Sequence, residues 1–179
     1  MAPELELDGE EVELATSLAE ASHAKHGARS GHYPNLKRSH LVGKLGEVAV
    51  EKWLRLQEVE VDAAYKDPGR EREPDLIADA RGIAVKTWRP DTWTDWGRCV
   101  TPAQVPGLQK KVEAIVWAVV DDNAEPVRAE IAGWSTPDEV AGTEVRATGP
   151  KYRPIMNHQV DLDQLRDPTE LIDALRRAD

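Results

Sequence analysis

One short stretch of the chain carries residue types that could work on a phosphate or a metal ion. Between Pro74 and Trp88 it reads PDLIADARGIAVKTW. Asp75 stands at the mouth of a short apolar run, Leu76-Ile77-Ala78, and Lys86 ends a second, Ile83-Ala84-Val85. A lysine is out of place in a strand that is otherwise apolar, because its charge is costly to desolvate unless paired. The two β-prone runs flank Asp79-Ala80-Arg81-Gly82, so they read as a hairpin. Taken alone, the Asp and the Lys could be a salt bridge across a surface hairpin. About thirty residues earlier, however, Glu47 follows Gly43-Lys44-Leu45-Gly46 and opens a helical pattern running to Leu56. Two carboxylates and a lysine are a set that can hold a hard divalent cation and stabilise an anion beside it.

The order of these pieces, a Glu on a helix, then Pro-Asp, then x-x-Lys within an apolar strand, resembles the PD-(D/E)XK nuclease superfamily. The resemblance covers roughly residues 40 to 135. It implies a restriction-endonuclease-like α/β fold, an αβββαβ core with a mixed central sheet flanked by helices. It also implies an enzyme, a magnesium-dependent endodeoxyribonuclease for which manganese can substitute. By that resemblance Asp75 is the principal metal ligand and the Val85 carbonyl a second. Glu47 adds a ligand or orients a metal-bound water, and Lys86 points at the attacking water or a phosphate oxygen. The partner is DNA, and a homodimer is expected if both strands are cut.

One position departs from the pattern. The acid that the superfamily places two residues before the lysine is Ala84 here, so Ala84 is the vacant catalytic position. Three explanations compete: an inactive form in which an acid has been replaced, an acid drawn instead from Glu47 or Glu51 on the helix, or a natural pseudo-nuclease. The rival function is a non-catalytic module of the same fold that binds DNA or a protein. A chance skeleton on an unrelated fold would leave Glu47, Asp75 and Lys86 apart in space. On the nuclease reading, an acid restored at position 84 is expected to raise cleavage without altering the fold.

The hairpin register decides which residues share a face. A two-residue loop at Ala80-Arg81 would pair Asp75 with Lys86 and place them on one side. A bulged turn with Gly82 in the left-handed region would shift that parity by one residue.

Further elements must position these groups. Residues 9 to 26 show an apolar stripe of Leu14, Ala15, Leu18 and Ala19 at helical spacing, and residues 27 to 35 break it. A second helix is expected from His40 to Gln57, with Leu45, Val48, Ala49, Trp53 and Leu56 on its buried face. Val59 to Tyr65 reads as a first strand, and residues 89 to 102 read as a loop after the hairpin. Thr101 to Lys111 reads as a short helix, and Ala114 to Val120 as a buried central strand followed by Val127 to Trp134. Helix starts stand at Ser135-Thr136-Pro137 and Asp167-Pro168, while residues 142 to 160 read as irregular. The whole is taken as one domain: an N-terminal helical and basic extension over 1–39, the core over 40–135, and a C-terminal helical segment over 136–179.

The 179 residues carry a net charge of −10, which argues against a plain nucleic-acid binder and turns attention to charge distribution. No acid occurs from Ala21 to Gly46, a segment that holds Lys25, Arg29, Lys37, Arg38 and Lys44 among four histidines. Lys37, Arg38, His40 and Lys44 are therefore candidate nucleic-acid contacts. Trp88 and Arg89, which mix an aromatic with an arginine near the site, could stack on bases or simply pack. Gln104 is a further contact by the resemblance. Cys99 is alone and the histidines lack zinc spacing, so no disulfide or zinc site is expected. No stretch is long and apolar enough to span a membrane and no signal peptide is visible, so a cytoplasmic location is expected.

Overall fold

The computed structural model describes residues 1–26 and 36–177. The segment read as the break after the first helix, including Arg29 and His32, lies outside the described residues. A six-stranded mixed sheet forms the centre. One of its two middle strands is β6 (Ala114–Asp121), whose AIVWAVV run is buried throughout because both faces of the sheet are covered. The other, β4 (Arg81–Trp88), runs parallel to it, from Ile83 opposite Ala114 to Trp88 opposite Val119. The parallel pair requires a crossover, supplied by α3 (Pro90–Trp96), β5 (Cys99–Val100) and α4 (Val105–Lys111). β3 (Leu76–Ala78) and β2 (Val61–Asp62) continue the sheet antiparallel on one side. β7 (Val127–Ser135) and β1 (Glu4–Leu7) continue it on the other. The strand order is therefore β1-β7-β6-β4-β3-β2.

Alternation along β4 sorts its side chains between two layers. Ile83 and Val85 face α2 (Leu36–Leu56) and pack with its Val50, Trp53 and Leu54. The same layer takes Leu171, Ile172 and Leu175 of the last helix, α6 (Pro168–Arg176). Ala84 faces the other way, among Val100, Val105, Ile115, Trp117 and Val140. α1 (Gly9–His26) lies outside α2, with Ala15 against Val42 and Leu45. Burial of the stripes follows expectation except at their edges, since Leu14 and Leu56 are exposed. Among the described residues no helix is long and apolar enough to cross a membrane.

The structure corrects several local expectations. The strand expected over Val59 to Tyr65 is only Val61–Asp62, because the Tyr65 N–H donates to the Asp75 carbonyl and the chain turns helical over Ala64–Lys66. The loop after Trp88 contains α3, with Pro90 serving at its first turn rather than breaking it. Residues 142 to 160 hold two strands, β8 (Val145–Thr148) and β9 (Ile155–Gln159), which pair with β5 into a second sheet of order β5-β9-β8. The C-terminal segment is therefore not purely helical: α5 (Pro137–Ala141) precedes that hairpin and α6 follows it. Finally, Glu4–Leu7, which reads as part of an acidic terminus, is an edge strand whose Leu7 is buried.

Candidate active site

The hairpin loop comprises two residues, Asp79 and Ala80, both in the left-handed region at φ 49° and 57°. That is the turn a two-residue hairpin prefers, because its twist matches the strands. Leu76 then lies opposite Ile83, which by extension sets Asp75 opposite Ala84 rather than Lys86. Asp75, Ala84 and Lys86 still share parity. Gly82 is not the turn residue. It is buried under the crossover, where a Cβ would lie 2.2 Å from the Lys111 carbonyl oxygen.

β3 is three residues long and β4 eight, so the antiparallel ladder stops while β4 continues. At that fork the Asp75 carboxylate takes the place of a strand: its Oδ2 accepts the Val85 N–H at 2.8 Å. Val85 therefore turns its N–H away from β6, and in an extended strand its carbonyl leaves along the same edge. An aspartate and a backbone carbonyl are thus presented side by side at the open edge of the sheet.

α2 brings the third group. Gly46 lies so close to β4 that a Cβ there would stand 1.9 Å from Thr87 Oγ1. Thr87 Oγ1 is itself buried, and among the described residues it has no hydrogen-bond partner. This approach lowers Glu47 toward the fork. Its Oε2 accepts from Lys44 Nζ at 2.6 Å, and its side chain is only 13% exposed. Burial and the neighbouring Asp75 charge push its pKa from 4.5 up to about 7, outweighing the opposing pull of Lys44 and Lys86. Glu47 is therefore within electrostatic reach of Asp75, Lys44 and Lys86 at once. Ala84 does not join them: it is 5% exposed, with its methyl packed in the opposite layer against Val100 and Trp117.

Glu51, one turn beyond Glu47, is occupied. It accepts from Arg55 Nε at 2.9 Å, Tyr65 Oη at 2.6 Å and Lys66 Nζ at 2.8 Å. These bonds hold its pKa below the usual value although burial opposes them. Of the two helical glutamates, Glu47 is the one that meets the Asp75 charge. No sequence signal singles out Tyr65, yet it joins this network to the site. Its backbone holds Asp75, its hydroxyl holds Glu51, and Lys44 lies 5.5 Å from its ring centroid. A cleft of about 400 Å³ opens here, lined by Lys44, Tyr65, Pro74 and Asp75 on one side and Ser22, Lys25 and His26 of α1 on the other.

The expected nucleic-acid contacts fare differently. Arg38 binds Asp122 through Nε at 2.7 Å and NH2 at 3.0 Å, and Arg89 Nε binds the same carboxylate at 2.9 Å. Both arginines thus fasten the start of α2 and the end of β4 to the turn after β6. Asp122 carries no signal in the sequence, where it reads as one more turn acid after the apolar run. Lys44 is paired with Glu47. Burial and the nearby His23, His26 and Lys44 lower the pKa of His40, whose Nδ1 lies 2.9 Å from Ser22 Oγ. Trp88 packs at 5.8 Å from Trp117 and 6.3 Å from Trp93, a packing role rather than an open stacking face. Lys37 is exposed, and Gln104 stands exposed at the start of α4 with no side-chain cap bond.

Among the described residues no three His, Cys, Asp or Glu side chains gather into a metal site. The fork offers two carboxylates and a carbonyl, which suits magnesium better than a transition metal. Magnesium is commonly held by one or two carboxylates and completes its shell with waters and substrate phosphate oxygens. Comparison with protein-family models, with curated proteins and with solved structures finds no match to this chain.

Proposed function

We propose that the protein is a metal-dependent nuclease that hydrolyses DNA phosphodiester bonds at the β3–β4 fork. One observation carries the reading: Asp75 and Glu47, from separate elements, meet where the ladder opens, within electrostatic reach of Lys86. The order over Leu36–Asp121, a helix, three strands, a crossover of α3, β5 and α4, then β6, supports it as well, being compatible with the αβββαβ order of the PD-(D/E)XK superfamily if β5 is an addition within the crossover.

Asp75, Glu47 and the Val85 carbonyl would hold magnesium, which when bound supplies an acidified water and offsets charge on the phosphate. The protein's own groups have distinct parts. Asp75 is fixed by the Val85 N–H, so its free oxygen is aimed before substrate arrives. Glu47, with a pKa of about 7, can take or release a proton near neutrality, the condition for acid–base work there. Lys86 serves as a cation for a phosphate oxygen. The acid missing at position 84 is then supplied from the helix by Glu47.

The test is calorimetric titration of magnesium and manganese, paired with cleavage of duplex and single-stranded DNA in magnesium or chelator. Asp75→Asn should abolish metal binding, and Lys86→Ala should preserve it while removing cleavage. A wild-type protein that binds neither metal would overturn the nuclease. That result favours the second reading, a non-catalytic binding module, for which the burial of Ala84 is the supporting observation.

A further inference from the structure

The structure moves the basic surface away from where the sequence puts it. Lys25 pairs with Glu71, Arg38 with Asp122 and Lys44 with Glu47, so much of the acid-free N-terminal segment is neutralised within the fold. A different acid-free run is left open. None of the chain's 33 acidic residues falls between Val145 and Val160, a span that contains Arg146, Lys151 and Arg153. It folds as the β8–β9 hairpin. Arg146 is tied to Asp161, whereas Lys151 and Arg153 are exposed, and among the described residues no acid lies within ion-pair distance of either. Between them Tyr152 is 87% exposed. A tyrosine ring left almost wholly in water, flanked by two such cations, is poorly explained by packing.

The tip is also built to hold its shape. The Arg153 N–H closes the turn onto the Pro150 carbonyl at 2.8 Å, and prolines flank it at Pro150 and Pro154. Below it, buried Asn157 donates to Thr148 Oγ1 at 2.7 Å, locking the two strands together. Such a loop loses little conformational entropy on binding. The hairpin belongs to the layer over the Ala84 face of β4, because β9 pairs with β5, whose Val100 packs against that face. By alternation, Lys86 leaves β4 on that same face.

We propose that the β8–β9 hairpin tip grips a single nucleic-acid strand, with Lys151 and Arg153 on successive phosphates and Tyr152 stacked on an unpaired base. The assignment rests on the nuclease reading for its biological sense but is tested by binding alone. A fluorescein-labelled single-stranded DNA oligomer is titrated in chelator, so that no cleavage occurs, across a range of salt. Lys151→Ala with Arg153→Ala should flatten the log–log salt dependence by about 1.4, two contacts at about 0.7 each. Tyr152→Ala should weaken binding about five- to a hundredfold, and Tyr152→Phe should restore it. An unchanged slope and affinity in these variants, or a wild-type protein that does not bind the strand, overturns the assignment. So does displacement by polyglutamate that is indifferent to Tyr152, since that would reduce the tip to bare charge. If the strand binds through the hairpin but the protein neither takes up metal nor cleaves, the nuclease falls and the hairpin stands. If the protein cleaves while the hairpin variants bind normally, the hairpin falls and the nuclease stands.

Discussion

Replacing Glu47 by glutamine separates the cost of the site from its use. Its carboxyl is buried beside Asp75 and its pKa rises from 4.5 to about 7. The folded chain therefore keeps a proton that the unfolded chain has released between those values, so stability falls as pH rises through that window. At about 1.36 kcal/mol per pH unit, ionising Glu47 in the fold costs about 3 kcal/mol above neutrality. Glutamine removes that cost, which is already net of the attraction to Lys44. The variant should thus be about 3 kcal/mol more stable near pH 8, a melting-temperature gain of about 6–12 °C for a chain of this size. Near pH 5 Glu47 is protonated in the fold, and the gain should shrink to under about 1 kcal/mol. The assay is thermal unfolding of both proteins in chelator at the two pH values, then with magnesium. Magnesium should narrow the difference near pH 8 by stabilising only the wild type, because the glutamine form lacks the carboxylate charge that would bind the ion. A gain of equal size at both pH values, or none near pH 8, refutes the argument that Asp75 and burial hold Glu47 protonated.

Three further outcomes follow from the same geometry. Ala84→Glu should lower stability by about 3 kcal/mol, read from the urea midpoint, because the carboxylate enters the apolar layer of Val100 and Trp117. If it instead unfolds like wild type and cleaves faster, position 84 is a ligand position after all. Gly46→Ala should cost about 1–3 kcal/mol by forcing α2 away from Thr87, and adding Thr87→Ala should recover part of it in a double-mutant cycle. Glu51→Gln should cost about 2 kcal/mol near neutral pH, since an amide cannot accept from Arg55, Tyr65 and Lys66 together. The pKa of Glu51 is held down in the fold, so the difference between the forms should shrink as acid titrates it below pH 4.5.

The sheet's centre is legible in the sequence because its residues answer to one influence. The AIVWAVV run is apolar throughout and is buried throughout. β8 and β9 are not legible, because their inward residues include Thr148, Asn157 and Gln159, polar groups satisfied by one another and by distant carbonyls. Hydropathy cannot see a strand whose core face is a hydrogen-bond network. In the candidate site, Glu47, Asp75 and Lys86 can be picked out by type and spacing. Arg38 and Arg89 read as substrate contacts only because their partner, Asp122, depends on how the elements fold together, whereas the Lys44–Glu47 pair lies three residues apart on one helix. Position 84 marks the limit of spacing rules: parity places it with Asp75 correctly, but only packing shows that its methyl is enclosed.

The edge strand β1 has a consequence for how the chain comes together. Leu5 lies opposite Ala129, so the first strand made is matched by one of the last strands of the sheet. At roughly 5–20 residues per second, ribosomal synthesis separates the two by roughly 6–25 s. During that interval α1 and α2 can pair, but the segment Glu4–Leu7 has nothing to add to. Contacts so distant in sequence also close slowly once both partners exist. Until β1 docks, β7 presents an unpaired edge beside the most apolar strand of the protein, a template for joining another chain. Yield and solubility should therefore respond to changes in Leu5 and Leu7 more steeply than their small share of the core suggests, and slowed translation or a chaperone should matter most at this step.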